Sequence, residues 1–330
     1  MGRAKELCRL AEVLRNDGKI FVLHGTGGIG KTQTALEFAF RFQSNFSSIF
    51  WVNAVSRITA TAGFNQIAQR LVMHYGDKQH SEAPDYYQVA QQLGLSGLVS
   101  ATGQVTINET SAPRIINAVK SWLAFPSNDQ WLLIFDNYND LKFDVPDFFP
   151  TRQCGNLIIT SQRTRSTLLG THFEGISGLD AENAVSLLFK LSNKTVRESD
   201  MEGKNLLSLS VAFTFTHLMA DAQEIVRSLE YFPLAIDQAG AYIAERQLLF
   251  SEYLPRYKRN FNTLMAQTPD GYSHYAKTAL TTWDMSFKAI QTEKPGAAEL
   301  LCLCSFLDKD DILDMLLHHG RKLPEEGAHT

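Results

Sequence analysis

The sequence predicts an α/β protein in which a parallel sheet covered by helices is followed by a mainly helical part. Three observations predict it. Four short apolar runs, each too short for a helix, alternate with amphipathic helical patterns over the first half of the chain. A glycine cluster separates the first run from the helix after it. From Asp180 onward helical patterns dominate to Glu252 and beyond. Continuous apolar strands are buried on both faces, and strands joined by helices run parallel, so helices cover both sides of the sheet.

Residues 5–15 place Leu7, Leu10, Ala11 and Leu14 at helical spacing, and Asn16-Asp17-Gly18 ends the run with turn chemistry. KIFVLHG (19–25) is the first strand, and TQTALEFAFRF (32–42) resumes helical periodicity with Ala35, Leu36, Ala39 and Phe42 facing inward. SSIFWVNA (47–54) is the second strand, followed by a helix carrying Phe64, Ile67, Ala68, Leu71 and Val72 on one face. The stretch 76–113 is polar and contains Gly and Ser, with a weak helical segment around 89–95, and reads as a surface excursion. WLLIFD (131–136) and NLIITS (156–161) are the third and fourth strands. Asp180 is placed to cap a helix that buries Ala184, Val185, Leu187 and Leu188. Turn-rich QTPDGYSH (267–274) precedes further helical patterns. The expected division is a sheet domain over 1–177, a helical domain over 178–265 and a third, partial domain over 266–330.

The 330 residues are 44% hydrophobic and 20% charged, the balance of a globular protein and not of a disordered or fibrous chain. With 31 basic and 35 acidic side chains the net charge is −4, which excludes a strong overall attraction to nucleic acid or anionic lipid. Cys8, Cys154, Cys302 and Cys304 have the spacing of neither a zinc site nor a disulfide framework, so a reduced, cytoplasmic setting is expected. The N-terminus lacks the apolar run of a signal peptide. The longest apolar stretch, about 206–220, is broken by Ser, Thr and His, so no membrane span is expected.

The strongest chemical signal is Gly25-Thr26-Gly27-Gly28-Ile29-Gly30-Lys31-Thr32, a G-x-x-x-x-G-K-[ST] loop between a predicted strand and a predicted helix, with Gln33 next in that helix. Glycines let consecutive backbone N–H groups turn toward phosphate oxygens, and the helix N-terminus adds positive potential. Lys31 then reaches the terminal phosphates and the Thr32 hydroxyl ligates Mg²⁺. Such a site needs an acidic residue at the end of a neighbouring strand to hold the metal, and Asp136 ends WLLIFD. Beside it stands Asn137, an amide that can position water but cannot accept a proton at neutral pH, so hydrolysis is expected to be slow.

GTGGIGKTQTALEFA, WLLIFDN, NLIITSQR and SLEYFPLAIDQAGAYI, in this order, resemble the NB-ARC class of STAND NTPases, especially its fungal NLR-like members. The resemblance implies that Pro233 corresponds to the proline of the family's GLPL block, which packs near the adenine, with Tyr231 and Phe232 in place of Gly-Leu. It implies that Arg163 is the sensor arginine after the fourth strand, which reads the γ-phosphate, although Thr160-Ser161-Gln162-Arg163 is one residue longer than the family's pattern. Residues 275–317 resemble the start of the family's winged helix. That region carries no arginine and fewer lysines than acids, so DNA reading is not expected, and Trp283 and Phe287 read as core residues. His318 and His319 lack a following Asp and do not match the family's MHD histidine.

What the resemblance implies is an ATP- and ADP-binding signalling switch, in which nucleotide exchange controls a closed and an open state and self-association, with Mg²⁺ as cofactor. Innate immunity is the implied context, and effector and sensor partners are implied but not identifiable. Two other readings remain open at this stage: a conventional P-loop ATPase whose purpose is turnover, and a scaffold that binds no nucleotide. The stretch 205–223 departs from the family's continuity and reads either as an insertion or as an ordinary buried helix.

Overall fold

The computed structural model describes residues 2–16, 18–79, 84–140, 143–152, 154–194, 208–265 and 274–307. They divide into two compact units, Met1–Ala184 with Tyr231–Leu234, and Val185–Glu230 with Ala235–Thr330. Residues 274–307 of the expected third domain fall in the second unit's range, and 266–273 and 308–330, with His318 and His319, lie outside the described residues.

The first unit is built on a five-stranded, all-parallel sheet: β1 (Ile20–His24), β2 (Ser48–Asn53), β3 (Trp131–Asp136), β4 (Asn156–Ser161) and β5 (His172–Gly175), in the order β2-β3-β4-β1-β5. The expected parallel sheet with flanking helices is borne out. β4 is buried throughout and β3 is buried up to Asp136, which explains why both read as unbroken apolar runs. β5 was not anticipated. It is a four-residue edge strand whose residues alternate between exposed and half-buried, so His-Phe-Glu-Gly carries no apolar run to detect.

Around the sheet stand α1 (Ala4–Val13), α2 (Lys31–Arg41), α3 (Arg57–Asp77), α4 (Tyr86–Gln92) and α5 (Ala112–Ala124). α3 begins at a capping box, Ser56 with Thr59, and buries all five of its expected apolar residues. In α2 the buried apolar side chains are Ala35, Phe38 and Ala39, whereas Leu36, expected inside, is exposed. The surface reading of 76–113 needs correction. Val89, Ala90, Leu93, Leu95, Leu98, Val99 and Val105 are all buried in the same core as Trp131 and Phe135. Their irregular spacing along tight turns hides them from any periodicity argument.

α6 (Ala181–Leu191) starts at Asp180, whose Oδ1 accepts from the Asn183 N–H at 2.9 Å, as its position suggested. The second unit is helical: α7 (Ser208–Ser228), α8 (Pro233–Glu245), α9 (Phe250–Met265), α10 (His274–Glu293) and α11 (Pro295–Cys304). Residues 208–223 belong to α7, which buries Ala222, Ile225 and Val226. The buried side of α10 is formed by Thr278, Thr281, Thr282 and Met285. Trp283, expected in the core, lies off that side, half exposed, and stacks on Phe287 with ring centroids 5.1 Å apart. Among the described residues no helix is long and apolar enough to cross a membrane.

Candidate functional site

Because every strand pair is parallel, the carboxyl ends of β1, β3 and β4 open on one edge of the sheet, the usual place for a ligand in an open α/β fold. The register sets His24 opposite Ser161 and Phe135 opposite Ile159, so the segments leaving these three strands emerge side by side. Residues 25–30 form the loop from β1 to α2, and the Gly25 N–H donates to the Ser161 carbonyl at 3.2 Å. Gly30 is the N-cap of α2 with φ of 100°, a left-handed conformation that glycine adopts without a steric penalty. At Gly28, φ is 77° and a Cβ would stand 2.7 Å from Leu234 Cδ2. Both the twist and the lack of space require glycine there.

Lys31 is only 8% exposed, and its Nζ donates to the carbonyls of Gly25 and Thr26, each at 2.9 Å. Burial pushes its pKa down to about 8, against a smaller upward pull from Asp136. Asp136 Oδ1 accepts two hydroxyls, Thr32 Oγ1 at 2.8 Å and Thr160 Oγ1 at 2.6 Å. Asn137 is left-handed, with φ of 66°, and its N–H donates to Thr160 Oγ1 at 2.8 Å. Asn139 Nδ2 donates to Asn137 Oδ1, and Asn139 Oδ1 accepts from the Gln162 N–H at 2.7 Å. A line of hydroxyls and amides thus runs from Asp136 across the top of β3 and β4.

Of the residues singled out from sequence, the loop 25–30, Lys31, Thr32, Asp136 and Asn137 meet at this edge. Thr26 and Gln33 are exposed, whereas Ile29 is buried and offers only its backbone. Pro233 is the first residue of α8, and its neighbours Phe232 and Leu234 close on Gly28. Tyr231, in place of a glycine, is left-handed with φ of 57°, and its carbonyl accepts from the Leu179 N–H at 2.9 Å. Arg163 is different. It is exposed, its backbone opens the 3-10 turn Thr164–Leu169, and its guanidinium makes no hydrogen bond or ion pair among the described residues.

Two residues that sequence reasoning missed belong to the site. Arg3 is nearly buried, and its Nη2 donates to the carbonyls of Ile29 at 2.8 Å and Ser177 at 2.6 Å, while Nη1 pairs with Glu6 at 3.0 Å. It ties the 25–30 loop to the segment after β5. The signal in sequence was only an Arg–Glu pair three apart at a helix start. Gln162 lies with its carboxamide against Gly27, and nothing in its surroundings in sequence distinguished it from Arg163.

No family model matches the chain. It is 25% identical to a nucleotide-binding leucine-rich repeat (NLR)-like protein of Hyaloscypha variabilis over an alignment of 341 positions, 95% of this chain and 30% of that protein. The chain therefore spans about a third of the length of the curated relative it matches. The resemblance to NLR-like proteins is borne out by this match. Among solved structures, the chain is similar to a STAND protein with a tetratricopeptide repeat sensor from Pyrococcus horikoshii, at 15% identity and a TM-score of 0.37 over 86% of this chain and 39% of that one. It is also similar to a Walker-type ATPase of Pyrococcus abyssi, at 13% identity and a TM-score of 0.43 over 80% and 73% of the two chains.

Proposed function

We propose that the chain is a nucleotide-binding switch of the NB-ARC type. ADP or ATP with Mg²⁺ occupies the 25–32 loop, and exchange between them controls a closed and an open state and self-association. The observation that carries the reading is the buried Lys31. Its Nζ has two loop carbonyls as hydrogen-bond partners, and no carboxylate forms a salt bridge with it among the described residues. A buried ammonium without a paired anion is unfavourable, and a phosphate group at the loop supplies that anion. Thr32 and Asp136 fit the accompanying metal, which would neutralise phosphate charge beside the nucleotide.

The chain's own residues favour regulation over turnover. The residue after the metal-side carboxylate is Asn137, and its Oδ1 is already engaged by Asn139. An amide held in this way orients water but takes no proton from it, so hydrolysis is slow. Pro233 and Leu234 group with the first unit and Ala235 onward with the second. A change at Gly28 is therefore passed into α8 through the covalent start of that helix. Self-association, a cytoplasmic setting and an innate immune role follow from the NLR-like resemblance and belong to this proposal.

Nucleotide content of the freshly purified protein tests it, beside thermal unfolding with added Mg–ADP or Mg–ATP and the variant Lys31→Ala. The expected outcome is co-purified ADP in the wild type and none in the variant. A ligand at a hundred times its Kd adds about 2.7 kcal/mol to stability. A folded wild type with neither bound nucleotide nor a thermal shift would leave the scaffold reading in its place. Rapid steady-state hydrolysis would favour the conventional ATPase.

A further inference from the structure

The residue after β4 whose side chain lies against the 25–30 loop is Gln162. The register brings this about: His24 pairs with Ser161, and the Gly25 N–H donates to the Ser161 carbonyl, so the next residue leaves β4 directly beside the loop. A Cβ placed on Gly27 would stand 3.2 Å from Gln162 Nε2, 3.4 Å from Cδ and 3.5 Å from Oε1. The carboxamide therefore rests on the loop, and glycine at 27 is what leaves it room. Its backbone is anchored by Asn139, which connects through Asn137 and Thr160 to Asp136.

The side-chain amide itself makes no hydrogen bond among the described residues, and Gln162 is exposed to solvent, so its two N–H donors and its carbonyl are available to a ligand. The end of the loop it flanks is also the informative one. Lys31 Nζ sits at Gly25 and Thr26, and the lysine of such loops reaches the β- and γ-phosphates. Gly27 is the next residue along, whereas Leu234 approaches the Cβ side of Gly28 and Arg3 holds the Ile29 carbonyl.

We propose that Gln162 is the residue by which this chain tells a nucleoside triphosphate from a diphosphate. Its Nε2 donates to a terminal phosphate oxygen, and Arg163 takes no part. The inference rests on the nucleotide-switch reading above. A neutral donor to an anion is weaker than a cation in the same place, so discrimination is modest and depends on the amide alone.

The test is titration calorimetry of the whole chain with Mg–ADP and with a non-hydrolysable Mg-triphosphate analogue, in the wild type, Q162A, Q162E and R163A. Losing a hydrogen bond to a charged group corresponds to roughly a ten- to hundredfold loss in affinity. Q162A is expected to lose that much for the triphosphate and less than twofold for ADP. Q162E, with a carboxylate facing phosphate, is expected to lose more, and R163A to match the wild type for both ligands. A selective triphosphate loss in R163A, or an equal loss of both ligands in Q162A, overturns the assignment while leaving the switch reading intact. A wild type that binds neither ligand overturns the switch reading and this inference with it.

Discussion

The loop edge of the sheet and the α4–α5 region lie in one compact unit but are held by opposite means. At the edge, residues 25–32, 136–139 and 160–162 are positioned by hydrogen bonds between polar groups, with a buried ammonium among them. Around α4 and α5, single apolar side chains such as Leu95, Leu98 and Val105 fill a core with Trp131, which is fully buried and donates through Nε1 to the Leu123 carbonyl at 3.0 Å. The first arrangement holds polar groups and a buried ammonium at some cost in stability, and the second contributes stability through apolar burial. Substitutions should therefore separate the two properties by region.

The largest expected effect is in the packed region. Leu95 is 1% exposed, and Leu95→Ala should cost about 2–5 kcal/mol in urea unfolding through lost burial and a residual cavity. Affinity for nucleotide in the protein that remains folded should be unchanged. A parallel loss of affinity would break the separation.

At the loop edge the expected sign is reversed. With the folded-state pKa of Lys31 at about 8 and the ordinary lysine value at 10.5, the unfolded chain binds more protons between these limits. Without ligand, the contribution of Lys31 to stability therefore rises with pH from about 8 to 10.5. The variant Lys31→Met should lack that rise and, below pH 8, should be at least as stable as the wild type. Unfolding midpoints of both proteins across this range check the sign. A variant less stable than the wild type at pH 7 would mean that the ammonium supports the ligand-free fold.

The smallest expected effect sharpens the comparison at the start of α8. Tyr231 is held left-handed, which costs a non-glycine residue about 1–2 kcal/mol, and its backbone carbonyl makes the bond to Leu179. Tyr231→Gly relieves that strain and loses part of the gain to chain entropy, so a net stabilisation of about 0.5–1 kcal/mol is expected in denaturant titration.

What could be read from the sequence divides along the same line. β1, β3 and β4 were legible because a strand buried on both faces carries a consecutive apolar run, and α3 because its apolar face repeats regularly over 21 residues. The core residues between 89 and 105 were not, since turns set their directions and no period links them. α5 was not named either, although Ile115, Ala118, Val119 and Leu123 are buried at helical spacing and Pro113 in its first turn is a helix-start signal. In the site, Lys31, Thr32 and Asp136 announce themselves through motif and strand context. The choice between Gln162 and Arg163 depends on the pairing of β4 with β1, and Arg3 meets carbonyls 26 and 174 residues away. Neither relation exists until the chain is folded.

The close approach at Gly28 has a bearing on how such a chain can diverge. With Leu234 Cδ2 at 2.7 Å and Leu234 Cβ at 3.0 Å from the place of a Cβ, residue 28 cannot grow while residue 234 keeps its size. The two positions lie 206 residues apart in sequence and meet only in the fold. A smaller side chain at 234 would not by itself release position 28, because its φ of 77° and Phe232 Cζ at 3.1 Å from the place of a Cβ still call for glycine.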